Sequence, residues 1–194
     1  MSILIWAVLG YLLGSVPFGL VITRALGFGD LRQIGSGNIG ATNVLRTGNK
    51  PAALATLLLD AGKGAIAVLL ARHFAGESAA LVAGAAAFLG HCFPVWLGFN
   101  GGKGMATFLG TLIALDWRVG LMCCATWALV ALIARISSLS ALISAAMAPV
   151  YAWALGKPQL MAAALFMTVL IFIRHKANIA RLLDGTEPRI GAKK

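Results

Sequence analysis

Hydrophobic positions in this chain fall in long runs with few polar residues, without the regular polar interruptions of an amphipathic helix or a half-buried strand. Apolar residues fill 3–23, 51–71, 78–97, 138–155 and 159–173. A bilayer span needs about 20 such residues, and fewer where neighbouring helices thin the membrane. The stretch 105–134 is equally apolar, but Asp116, Trp117 and Arg118 interrupt it midway. One continuous helix would bury two charges at mid-depth. Two helices turning at 116–118 place those charges, and the indole, at an interface. The pattern predicts an all-α, polytopic membrane protein. It has a single domain over 1–194, with seven transmembrane helices at roughly 3–23, 51–71, 78–97, 104–115, 119–134, 138–155 and 159–173.

Composition agrees with a lipid solvent. Of 194 residues 60% are hydrophobic and 11% charged, with a mean hydropathy of +0.89, too little polar surface to cover a water-soluble domain. No polar linker divides the chain. The first 23 residues carry no charge, so they lack the basic start of a signal peptide and read as a retained helix.

The net charge of +10 is the kind of number that suggests nucleic acid. Seven crossings give it another meaning. Arg24, Arg32, Arg46, Lys50, Lys103, Arg135, Arg174, Lys176, Arg181, Arg189, Lys193 and Lys194 then share one side, against Arg72, Arg118 and Lys157 on the other. That asymmetry predicts an outward N-terminus and a cytoplasmic C-terminus, with membrane lipid and not nucleic acid as the charge partner. Lys63 alone stays inside a span, one turn from Asp60 on the same helical face. The pair reads as an intramembrane ion pair or as a direct ligand.

Two loops on the basic side are too polar and too glycine-rich to be plain connectors. The first runs Gly35-Ser-Gly-Asn-Ile-Gly-Ala-Thr-Asn-Val-Leu-Arg46. Its formal G-x-G-x-x-G lacks the strand of a dinucleotide fold. Successive glycines nevertheless let backbone N–H groups point into one concavity that suits a phosphate. Arg46 supplies a guanidinium for the same anion. Gly35, Ser36, Gly37, Asn38 and Asn43 are the loop's other candidates.

The second loop, Gly98-Phe-Asn-Gly-Gly-Lys-Gly104, opens a helix. It is not a nucleotide P-loop, since the leading glycine and the Ser/Thr after the lysine are both missing. Lys103 among Gly101, Gly102 and Gly104 at a helix N-terminus still makes an anion site. Ser138 begins a later helix beside Arg135. His175 and Asn178 lie on one side of the segment following the last span.

Absences narrow the chemistry. No carboxylate pair is evident at these loops, and Trp96 and Ala180 stand five residues after His91 and His175. That excludes the His-x-x-x-x-Asp arrangement of many acyltransferases, and no G-x-S-x-G elbow occurs in the sequence either. Cys92, Cys123 and Cys124 read as small core residues, and no metal ligands stand at productive spacing. Two phosphate loops on one face fit an enzyme, an organophosphate transporter with anion sites at helix ends, or a lipid-binding subunit.

Over nearly its whole length the chain resembles the bacterial acyl-phosphate:glycerol-3-phosphate acyltransferases, the PlsY family. The resemblance is carried by Gly14–Gly19, Gly35–Arg46, Asp60–Gly64, Gly90–Pro94, Gly101–Thr107, Ser138–Ser140 and Arg174–Leu182. It implies a multi-pass enzyme of the inner membrane, needing no cofactor or metal. Such an enzyme moves a fatty acyl group from acyl phosphate to the 1-hydroxyl of sn-glycerol 3-phosphate, releasing lysophosphatidate and phosphate. It further implies a soluble enzyme that makes the acyl phosphate. Carried over, Ser36, Asn38, Arg46, Lys103, Ser138, His175 and Asn178 line the site. Lys103 and Gly101–Gly104 fall to the acyl phosphate head, and Arg46, His175 and Asn178 to glycerol phosphate.

Overall fold

The computed structural model describes residues 2–191, and every regular element in them is helical. Lys193 and Lys194, which belong to the basic side by the topology reading, lie outside the described residues. In chain order the helices are α1 (Ile3–Gly14), α2 (Phe18–Ala25), the short α3 (Ala41–Val44), α4 (Lys50–Ala75), α5 (Glu77–Cys92), α6 (Met105–Leu115), α7 (Trp117–Ala134), α8 (Ser137–Ala154), α9 (Pro158–Arg174) and α10 (Lys176–Leu183).

Two of the expected spans are differently built. The first apolar run breaks between α1 and α2, where Pro17 has no N–H to continue the ladder. The third ends at Cys92, and a short 3-10 turn at Val95–Leu97 carries the chain into the second glycine loop. By length and composition five stretches can cross a bilayer: Ile3–Ala25, Lys50–Ala75, Glu77–Leu97, Trp117–Ala134 and Ser137–Ala154. A sixth is Pro158–Arg174 with Lys176–Leu183, bent by 64° at His175. Helix α6 has 11 residues and so reaches about 16 Å, roughly half the hydrocarbon thickness. Helix length alone therefore supports fewer than the seven crossings that hydropathy suggested.

The interruption of 105–134 is a true turn. Asp116 leaves helical geometry and caps α7, its carboxylate accepting from Arg118 N–H at 3.0 Å. Around this turn the three sparse cations gather at one end of the bundle. Arg72 pairs with Glu77 at 2.7 Å and donates to the carbonyls of Ala114 and Leu115, while Arg118 and Lys157 flank Asp116 at 2.8 and 3.7 Å.

Small residues let the helices approach. A Cβ on Gly10 or Gly14 of α1 would strike the Ala83 or Ala87 carbonyl of α5, and one on Gly110 of α6 would strike Ala61 of α4. Without a hydrophobic drive between helices in lipid, such contacts and interhelical hydroxyl bonds hold the bundle. Examples of the bonds are Ser144 to the Cys123 carbonyl (2.8 Å) and Thr168 to that of Ala145 (2.7 Å). Cys92 and Cys123 are buried among Phe88, Phe108 and Leu112, as packing residues should be.

Candidate active site

The first glycine loop is organised by Asn43. Its side chain is buried, and its amide nitrogen donates to the carbonyls of Leu31 (3.0 Å) and Ile34 (2.8 Å). Its Oδ1 accepts from the Ser36 N–H (3.1 Å), the Ser36 hydroxyl (3.4 Å) and Arg46 Nη1 (3.2 Å). Asn43 is thus engaged within the loop, and its work is to hold Ser36 and Arg46 side by side on the exposed rim. Asn38 acts more locally, accepting from Gly40 N–H at 2.9 Å. Gly35 and Gly37 both have left-handed backbone, φ 55° and 69°. A Cβ at Gly35 would also lie 2.6 Å from Asn43 Oδ1.

The second loop doubles back on α5. The Gly101 N–H donates to the Cys92 carbonyl (3.2 Å) and the Gly102 N–H to that of His91 (3.0 Å). Their own carbonyls accept from Arg174 Nη2 (2.6 Å) and Nε (3.1 Å). Tyr11 adds a bond to the Phe93 carbonyl at 2.8 Å. The amides of Gly101 and Gly102 are therefore committed to the fold. The ladder of α6 begins with Phe108 N–H to Gly104, so the amides of Met105, Ala106 and Thr107 precede it, as at any helix N-terminus. Lys103 stands half-buried at that end. Burial pushes its pKa down to about 8, Glu187 opposes this, and Arg181, Arg46 and Arg174 add to it. The cations of the first loop, the second loop and the α9–α10 corner thus act on one another at a single end of the bundle.

That corner supplies His175 and Asn178, both buried. His175 Nδ1 lies 2.8 Å from the Ile171 carbonyl. A carbonyl only accepts, so the proton sits on Nδ1 and Nε2 keeps its lone pair. Burial lowers the imidazole pKa to about 4 against that bond, leaving the ring neutral at pH 7.

Glu187 is the residue the sequence reading missed. It returns from the C-terminal segment and accepts from Ser138 Oγ (2.7 Å), Asn178 Nδ2 (2.5 Å) and Arg181 Nε (2.6 Å). A carboxylate therefore does reach these loops. Burial works against its ionisation, but the three donors outweigh burial and hold its pKa below the usual range. The hint in the sequence was weak: two acids, Asp184 and Glu187, stand between Arg181 and Arg189, with nothing to single out the second. Arg174, which clamps the second loop, read there as one basic anchor among several.

Ser36, Arg46, Lys103, Ser138, His175 and Asn178 are thus brought to one end of the bundle, with Asn38, Asn43 and the glycines shaping the loops beneath them. Residues 4–185 match the sequence model of the family described as glycerol-3-phosphate acyltransferase. A glycerol-3-phosphate acyltransferase of Cereibacter sphaeroides is 67% identical over 193 residues, covering 100% of this chain and 92% of the relative. One of Dinoroseobacter shibae is 66% identical, covering 95% and 91%. Among solved structures, the integral membrane glycerol 3-phosphate acyltransferase PlsY in its glycerol 3-phosphate form superposes with a TM-score of 0.93 at 39% identity, covering 98% of this chain and 96% of that one. The form with lysophosphatidic acid gives 0.90 at 36% identity, with the same coverage. This chain belongs to the glycerol-3-phosphate acyltransferase family.

Proposed function

We propose that this protein transfers a fatty acyl group from acyl phosphate to the 1-hydroxyl of sn-glycerol 3-phosphate, in one step and without an acyl-enzyme. The observation that carries this reading is the convergence of separate segments on one corner: Arg174 of α9 bonds the carbonyls of Gly101 and Gly102 beside Lys103, and Glu187 gathers Ser138, Asn178 and Arg181. Such a concentration of positive charge beside apolar helices suits two phosphate-bearing substrates, one of them with a fatty tail. In this reading Lys103 and the α6 N-terminus hold the acyl phosphate head. Arg46, with Ser36, holds glycerol phosphate, while His175 and Asn178 line its other side.

The hydroxyl oxygen attacks the acyl carbonyl, the new ester bond forms, and the bond to phosphate breaks. A mixed anhydride has a good leaving group, so orientation and charge stabilisation suffice. The hydroxyl proton goes to a substrate phosphate oxygen. The second ionisation of a phosphate monoester lies near about 6, against about 4 for His175, so phosphate is the better base. Nothing in this scheme calls for a metal or cofactor.

We place the glycine loops and C-terminus on the cytoplasmic side of the inner membrane, through seven passes with the N-terminus outside. There the protein meets acyl phosphate made by a soluble enzyme. The test is transfer by purified protein in detergent, comparing acyl phosphate with coenzyme A and carrier-protein thioesters. Lysophosphatidate formed from acyl phosphate alone is expected. Equal use of thioesters, or affinity without product, would defeat the proposal. Cysteines introduced at Ser78 and at Lys157 should label from outside in intact cells, and one introduced at Gly191 only after permeabilisation.

A further inference from the structure

Below the glycine loops lies a charged cluster that the proposed reaction does not use. Asp60 and Lys63 of α4 are each 2% exposed and His91 of α5 is 4% exposed. Lys63 Nζ sits 2.8 Å from Asp60 Oδ1, donates to the Val16 carbonyl at 2.8 Å, and lies 5.7 Å from the centre of the Phe18 ring. It thereby ties α4 to the break between α1 and α2. Asp60 Oδ1 also faces His91 Nδ1 across 3.6 Å. The other side of the ring backs onto the second loop, where a Cβ on Gly102 would overlap His91 Nε2. The surroundings are polar as well. Thr107 and Thr111 of α6 press on Gly64, and their buried hydroxyls have no hydrogen-bond partner among the described residues.

A buried ion pair is a poor way to stabilise a fold, since an apolar pair of the same volume often does as well. We infer that Asp60, Lys63 and His91 are positioning residues that hold the two glycine loops in register. At one end Lys63 fixes the α1–α2 break. From there α2 meets the first loop, with Gly19 against the Ile39 carbonyl and Leu20 packed with Leu31 and Val44. At the other end the Asp60 carboxylate lies 3.6 Å from His91 Nδ1, too long for a hydrogen bond, so it is by charge alone that it favours the proton on Nδ1 and leaves Nε2 facing Gly102. The ring then stops the second loop from sinking, and Lys103 keeps its place. Misplacing a reacting group by about 1 Å can cost roughly 100-fold in rate, so the demand is for register and not for binding energy.

The inference rests on the acyl-transfer reading, and two readouts separate them. Asp60→Asn alone strands a buried ammonium and threatens folding, so the decisive variant is Asp60→Asn with Lys63→Met, which removes both charges and keeps the volume. It should fold, yet turn over about 10- to 100-fold more slowly per folded molecule, with a raised KM for acyl phosphate. His91→Phe keeps a ring against Gly102 but removes the polar edge that faces Asp60, and should do the same. Joining it to the double variant should add little, because both act through one loop. The second readout needs no substrate: the rate at which an amine-reactive reagent modifies Lys103, followed by peptide mass spectrometry, should rise several-fold in both variants. Failure of wild-type transfer would count against the reaction, while altered Lys103 labelling would still support the positioning role. A folded double variant with wild-type labelling of Lys103 overturns the inference, whatever the reaction proves to be.

Discussion

The two glycine loops look alike in composition and are built in opposite ways. The first is tied from within, since one buried amide, Asn43, gathers Leu31, Ile34, Ser36 and Arg46. The second is tied from outside, by Arg174, by Tyr11 and by the carbonyls of His91 and Cys92. Their central glycines answer different demands. Gly35 and Gly37 provide left-handed backbone, as Gly98 and Gly104 do at the ends of the second loop, whereas Gly101 and Gly102 are not left-handed and provide only the absence of a side chain. In the proposed assignment, the self-tied loop offers Arg46 and Ser36 on an exposed rim to a soluble substrate, and the clamped loop offers one half-buried lysine to a bilayer-borne one.

The largest expected effect is on the clamped side. Lys103→Ala removes the charge of the second loop, and transition-state stabilisation should fall by about 2–4 kcal/mol, a loss of roughly 30- to 1,000-fold in kcat/KM. Activity within a few-fold of wild type would remove Lys103 from the reaction. Next come paired glycine substitutions. Gly102→Ala drives a methyl into the His91 ring, a clash that typically costs about 1–3 kcal/mol of stability and should also slow turnover. Gly37→Ala meets nothing nearer than the Arg32 carbonyl at 3.2 Å and should cost only the about 1–2 kcal/mol of a left-handed alanine, with turnover largely kept. If Gly37→Ala proved the more damaging to turnover, the division between the loops would be wrong.

This contrast marks how far the sequence could be read. Hydropathy and the charges at 116–118 were enough for a helical membrane bundle and for the turn before α7, because lipid leaves few alternatives. The break at Pro17 was missed because apolar residues continue through it. Both loops and their cations were visible as composition, since glycine clusters beside a lysine or arginine have few other uses. The commitment of the Gly101 and Gly102 amides was not visible, because it depends on the chain folding back onto the end of α5. Glu187 was hidden for a related reason: it stands nine residues beyond Asn178 and 49 beyond Ser138 in sequence, and only the bend at His175 brings the three together.

A smaller effect should come from the rim of the first loop. Arg46→Lys keeps the positive charge but loses the planar fork that can meet Asn43 and a phosphate together. Its expected outcome is a KM for glycerol 3-phosphate raised by about tenfold, equivalent to one lost charge-assisted bond of about 1.5 kcal/mol, with the KM for acyl phosphate little changed. An unchanged glycerol 3-phosphate dependence would break the assignment of this loop.

The smallest effect concerns pH, and it tests whether the clamped loop and the C-terminal segment act on the same lysine. Lys103 titrates at about 8 in place of the usual 10.5, chiefly through burial. If its ammonium is required, kcat/KM should fall as pH rises through about 8, a limb that belongs to the free enzyme. Stability should run the other way. Between about 8 and 10.5 the unfolded chain holds a proton that the folded one has lost, so the penalty that this buried lysine places on folding is relieved as pH rises. This lysine therefore gives the protein no cause to unfold in that window, and a melting curve taken at each pH separates lost activity from lost structure. Glu187 raises the Lys103 pKa against the effect of burial. Glu187→Gln keeps the shape of the side chain facing Ser138 and Asn178 but removes its charge, so the alkaline limb should move to lower pH. A limb that stays in place, or moves upward, would mean that the lysine of the second loop does not feel the carboxylate.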